Sequence, residues 1–124
     1  MEFIESLASN QIFVFGSNAN GFHFGGAAKQ AYDHFGAVWG HPGGMQGQSY
    51  GIITLDENMQ KVPLDYIGKQ LQVLNHQANE MPDKEFLLTL IGCGIAGFSI
   101  EEIKSECIKI KWNDNVVVPE EFKE

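Results

Sequence analysis

The chain has 124 residues, 44% of them hydrophobic, and a formal net charge of −8. That is enough for one domain, residues 1–124, with an ordinary core and no need of disulfide or metal staples. All eight cationic residues are lysine, and this acidic, arginine-free balance excludes DNA or RNA as the main partner, because affinity for a polyanion rests on cationic side chains displacing counterions.

In chain order, Gln11 to Phe15 (QIFVF) is a short apolar run suited to a buried strand. Gly16 to Gly26 reads as a long loop. Ala27, Ala28, Ala31, Tyr32 and Phe35 then recur at helical spacing, and Gly36 is a natural stop. Gly36 to Gly47 is a second glycine-rich loop, and Ser49 to Leu55 (SYGIITL) reads as a strand. Val62-Pro63-Leu64 opens a helix whose apolar stripe is Leu64, Ile67, Leu71, Leu74 and Ala78, with Pro82 just beyond. Phe86 to Ile91 (FLLTLI) has the pattern of a strand covered on both faces. It runs into a third glycine cluster, Gly92 to Gly97. Ser99-Ile100-Glu101-Glu102 is a capping box opening a helix with Ile100, Ile103, Cys107 and Ile108 on one face. Trp112 to Pro119 supplies a turn and a last short strand. This alternation predicts a three-layer α/β/α domain with a mainly parallel sheet, in which ligands bind at the carboxyl ends of the strands.

The first ten residues carry two glutamates and no cation, unlike a signal peptide, and no run of about 18 apolar residues could span a membrane. With two cysteines in apolar settings, the expectation is a reduced, cytoplasmic protein without membrane contact. The histidines at 23, 34, 41 and 76 show no ligand spacing with Cys93 or Cys107, so no metal site and no resident cofactor is expected.

Twelve of the fourteen glycines fall in the three clusters 16–26, 36–47 and 92–97. The first and third follow a strand and precede a helix. Gly25-Gly26 stands before the helix at Ala27-Ala28, whose first N–H groups have no intrahelical acceptor and sit at the positive end of the dipole. Such a start binds an anion without a basic side chain. Gly92, Cys93, Gly94, Ile95, Ala96, Gly97 and Phe98, followed by the Ser99-capped helix, repeat the arrangement. Two helix starts side by side would suit a diphosphate; two tight turns without a ligand are the plainer alternative.

Gly16, Ser17 and Asn18 open the first loop, and Asn18 is either a turn residue or an amide for a ribose hydroxyl. His23 is a general acid or base, a phosphate donor or an exposed loop residue. One of Phe22 and Phe24 is expected to stack on a base, as loop aromatics do when they are not core. Cys93 at a helix start is either a nucleophile with a lowered pKa or a small buried thiol. Gln48 and Ser49 either line a pocket mouth or begin a strand.

Phe13-Val14-Phe15-Gly16-Ser17-Asn18, Gly21-x-His23-x-Gly25-Gly26-Ala27-Ala28, Gly47-Gln48-Ser49-Tyr50 and Ile91 to Phe98 resemble a family of small phage-associated and bacterial proteins. The same order of elements is similar to a reduced macro domain, the module that binds ADP-ribose. That resemblance implies a macro-like fold and binding of ADP-ribose or a related NAD-derived nucleotide. Asn18 would match the ribose-side asparagine, Gly25-Gly26-Ala27 the glycine-rich helix opening, and Gly92 to Phe98 the diphosphate loop. Phe24 stands where a further glycine is expected, and Gly21 to Ala28 holds no aspartate, which favours binding over turnover. The alternatives are a hydrolase of ADP-ribosyl or phosphoester substrates using His23, and a protein-interaction module with no small-molecule ligand.

Overall fold

The computed structural model describes residues 4–124. Strands β1 (Gln11–Asn18), β2 (Gly44–Gln46), β3 (Ser49–Leu55), β4 (Glu85–Leu88) and β5 (Val116–Val117) alternate with helices α1 (Gly26–His34), α2 (Leu64–Glu80) and α3 (Ile100–Cys107). A short 3-10 turn, Glu120–Phe122, follows β5. The five strands form one sheet in the order β2-β3-β1-β4-β5. β1 pairs in parallel with both β3 and β4, and β4 with β5; only the β2–β3 pair is antiparallel.

β1 shows why this sheet is covered on both sides. Its side chains alternate across the pleat, and every residue from Ile12 to Phe15 is buried. Phe13 and Phe15 pack with Ala28, Ala31 and Phe35 beneath α1. Ile12 and Val14 belong to the larger core on the other face, with Ile67, Leu71 and Leu74 of α2 and Ile103 and Cys107 of α3. Burying rings such as Phe13 and Phe15 contributes about 1.5–3 kcal/mol each. The protein is therefore a mixed α/β domain, with α1 on one face of the sheet and α2 and α3 on the other.

Three boundaries differ from the sequence expectation. β1 runs on through Gly16, Ser17 and Asn18, because these residues still pair with β3, with a bulge between Ser17 and Asn18. β4 stops at Leu88, three residues early: the Thr89 hydroxyl donates to the Val14 carbonyl (2.7 Å) and the chain turns. The second glycine loop contains the short edge strand β2, which has too few residues to show an alternating pattern. Among the described residues no helix is long and apolar enough to cross a membrane.

Candidate functional site

The topology creates a crevice before any side chain is considered. The chain leaves β1 over one face of the sheet through α1, and leaves the neighbouring β4 over the other face through α3. Adjacent parallel strands whose helices diverge leave a gap at their carboxyl ends, the usual ligand position in open α/β sheets. Here that gap is a cavity of about 380 Å³.

Its walls bring together Gly16, Ser17, Asn18, Phe22, Phe24, Gly25, Gly26, Ala27 and Ala28 from the β1–α1 segment. Gly92, Cys93, Gly94, Ile95 and Ala96 come from the segment after β4. The two loops touch: a Cβ built on Gly25 would lie 2.8 Å from Cδ1 of Ile95. The end of β3 adds Thr54 and Leu55, the segment just after β4 adds Thr89, Leu90 and Ile91, and the turn after β3 adds Met59. These six were not singled out from the sequence. The rule that sites form at carboxyl strand ends would have found all of them except Met59.

Backbone amides add to the polar side chains of Ser17, Asn18, Thr54 and Thr89 in the wall. α1 starts at Gly26 with no side-chain cap and no acidic residue in its first turn. The N–H groups of Gly26, Ala27 and Ala28 therefore have no intrahelical acceptor. In the second loop the N–H groups of Cys93, Gly97 and Phe98 are used by the turn itself, on the carbonyls of Leu90, Gly94 and Gly92 (3.2, 3.0 and 2.8 Å). Those of Gly94, Ile95 and Ala96 make no hydrogen bond among the described residues.

The start of α3 behaves differently from the expectation of a second anion-binding helix terminus. The Ser99 hydroxyl accepts from the Glu102 N–H (3.0 Å), and the Glu102 carboxylate accepts from the Ser99 N–H (2.9 Å). Glu101 and Glu102 also set two negative charges against that dipole. The backbone hydrogen bond from Ser99 holds the Glu102 carboxyl below its usual range, with a small contribution from Lys61. Two of its free N–H groups are taken by its own residues, and none of its residues lines the cavity. The amides left free after β4 are those of the turn at 94–96, not those of the helix behind it.

Several expected site residues lie elsewhere. His23 is 1% exposed and outside the cavity wall. Its Nε2–H donates to the Val38 carbonyl (2.9 Å), and its ring is boxed by Phe15, Tyr32 and Trp39, with centroids 5.3, 6.4 and 6.3 Å away. Buried in this way, it cannot reach a substrate as a general acid or base.

Gln48 and Ser49 sit at the amino ends of the strands, opposite the cavity. Gln48 Nε2 donates to the carbonyls of Ala8 and Gln11 (3.0 and 3.1 Å), and the Ser49 hydroxyl donates to that of Phe35 (2.9 Å). Gly97 lies outside the wall beside Lys61, and Phe98 is a core residue with the Lys61 ammonium 5.1 Å above its ring.

Asn18 lines the cavity, but much of its amide is engaged. Its Oδ1 accepts from the Phe22 N–H (3.0 Å) and its Nδ2 donates to the Phe22 carbonyl (2.8 Å). It clamps the loop and keeps one N–H and one lone pair. Cys93 is the one titratable side chain among the described residues of the wall. Burial, followed by the Glu102 charge, pushes its thiol pKa up, the opposite of what a nucleophile needs. Among the described residues no three histidine, cysteine or acidic side chains group as metal ligands.

Phe22 and Phe24 stand exposed at the mouth, 41% and 57% respectively. Phe22 is stacked on Trp39 (5.5 Å, 18° between planes) and Phe24 lies beside both. Trp39 was not anticipated. It comes from the Gly36–Gly47 loop, which lines no part of the cavity but packs tightly against the first loop. A Cβ on Gly21, at φ +69°, would meet the Gly40 carbonyl carbon at 2.5 Å. Neither family models, curated proteins nor solved structures give a match to this chain.

Proposed function

We propose that this domain binds ADP-ribose or a related NAD-derived nucleotide in the cavity at the carboxyl ends of β1, β3 and β4, as a macro-like module. The observation that carries the reading is the convergence of two sets of unpartnered amides, Gly26–Ala28 and Gly94–Ala96, on one cavity. Phosphate oxygens accept from these groups. The α1 dipole supplies the field that an arginine would supply elsewhere. The remaining N–H and lone pair of Asn18 meet a ribose hydroxyl, and Phe22 or Phe24 offers its face to the base. The volume lies within the roughly 300–1,000 Å³ of small-molecule sites.

Binding is better supported than hydrolysis. No described lining residue is an acid, a histidine or a lysine, and the Cys93 thiol is disfavoured as a thiolate. General acid–base work needs a titratable group within hydrogen-bond reach of the reacting atoms.

The test is a thermal-shift panel of ADP-ribose, NAD, ADP, AMP and cyclic nucleotides. A ligand at 100 times its Kd stabilises the fold by about 2.7 kcal/mol, roughly 10 °C for a domain of this size. A flat response from every member at millimolar concentration would reject the reading. The exposed face made by Phe22, Phe24, Tyr32 and Trp39 would then favour a protein-contact role instead.

A further inference from the structure

Met59 has φ +60° and is the one non-glycine residue with positive φ among the described residues. An L residue with an unbranched, non-polar side chain rarely adopts this conformation and gains nothing locally from it. The surrounding turn imposes it. The Asp56 carboxylate accepts from the N–H groups of Asn58 and Gln60 (2.9 and 3.0 Å), and the Met59 N–H donates to the Asp56 carbonyl (3.0 Å). The Asn20 amide donates to the Glu57 carbonyl (3.0 Å) and ties the turn to the β1–α1 loop. A glycine or asparagine at position 59 would satisfy the same turn without strain. Met59 stands in the cavity wall instead.

Met59 is half-exposed there, with Phe22, Phe24 and Ile95 also exposed on the same wall. Three loops thus place apolar residues in the wall of a cavity that also holds free backbone amides and the Asn18 side chain. A ligand with an anionic part on the amides presents whatever it carries next to these four side chains. The aromatic wall is fixed, since Asn18 holds the Phe22 backbone and Trp39 backs the ring. A thioether is an adaptable partner for a flat ring.

We infer that Met59 is a specificity-determining contact for the heteroaromatic base of the nucleotide, kept in a strained turn in order to reach it. The inference rests on the nucleotide-binding reading and adds that the base, and not only the phosphates, is recognised.

The experiment compares ADP-ribose with ribose 5-diphosphate, which keeps the diphosphate and lacks the adenosine, on the wild-type protein and on Met59→Gly and Met59→Leu, by calorimetry and thermal melting. Glycine suits the left-handed turn, so Met59→Gly melts within a few degrees of wild type or above it. Its ADP-ribose affinity falls about three- to tenfold while its ribose 5-diphosphate affinity is unchanged, and Met59→Leu recovers most of the loss. Wild-type ADP-ribose affinity in Met59→Gly overturns the inference. So does an equal loss for both ligands, which would mean that the turn shapes the cavity without touching the base. If neither ligand binds the wild-type protein, the nucleotide-binding reading falls and this inference falls with it.

Discussion

Replacing His23 by alanine decides between a chemical and a structural role for that ring. The structure makes it a wedge that joins three segments: it sits on the loop after β1, bonds the Val38 carbonyl of the next loop, and packs edge-on against Phe15 of the central strand. Since the carbonyl can only accept, Nε2 carries a proton, and Nδ1 is buried with no hydrogen-bond partner among the described residues. Truncation removes the imidazole from a filled space, at a cost resembling other large-to-small core changes. It also removes the hydrogen bond to the Val38 carbonyl, worth about 0.5–1.5 kcal/mol. Removing the orphaned Nδ1 returns part of this. The net expectation is a loss of about 2–4 kcal/mol, or roughly 8–15 °C in Tm. Urea unfolding measures it, with exposed His41→Ala as a control expected within about 0.5 kcal/mol of wild type. A His23→Ala protein of wild-type stability would refute the wedge.

Gly94 offers the cleanest test of the amide cradle: its φ is not left-handed, a Cβ there meets nothing within 4 Å, and it lines the cavity. Gly94→Val should leave the urea midpoint unchanged and weaken ADP-ribose at least tenfold, and retained affinity would count against the cradle. Gly26, at φ +56°, cannot serve, because a side chain there strains the backbone as well as filling the cavity. Ser99→Ala should cost about 1 kcal/mol and lower Tm by roughly 4 °C through loss of the cap, without altering ligand affinity. Glu102 has its pKa lowered on folding, so its charge stabilises above the ordinary glutamate range and the effect is lost as pH falls through the folded value. The stability gap between wild type and Glu102→Gln should therefore be wider at pH 7 than at pH 3; a pH-independent gap would contradict this account.

Local signals in the sequence located the elements well. Ser99 and Glu102 marked the start of α3 because a capping box is a local interaction, and the 3.6-residue stripe of α2 is likewise local. Ser49–Leu55 read correctly as a strand for the same kind of reason. What failed was non-local. Gly16 to Asn18 looked like loop because glycine, serine and asparagine are poor strand formers, yet pairing with β3 on one side overrides that preference. His23 looked available for chemistry because nothing near it in sequence reveals that Trp39 and Tyr32 close over it. Met59 carried no signal at all, since its turn conformation is imposed by Asp56 and by the tie from Asn20.

The correction at α3 changes what kind of ligand the site can favour. With Glu102 occupying that terminus, one helix dipole, not two, acts on the cavity, and the second cradle is a turn whose amides carry no macrodipole behind them. The two proposed anion positions are then unequal: the α1 start has the stronger field, and the 94–96 turn offers hydrogen bonds without comparable field. A chain with net charge −8 and no cationic side chain in the wall gains little from a bare phosphate, which brings negative charge and no surface to bury. It gains more from a ligand that spreads its charge over both cradles and buries a ring beside Phe22 and Phe24. That asymmetry, and not the number of glycines, is the physical reason to expect a nucleotide rather than inorganic phosphate or a sugar phosphate in this crevice.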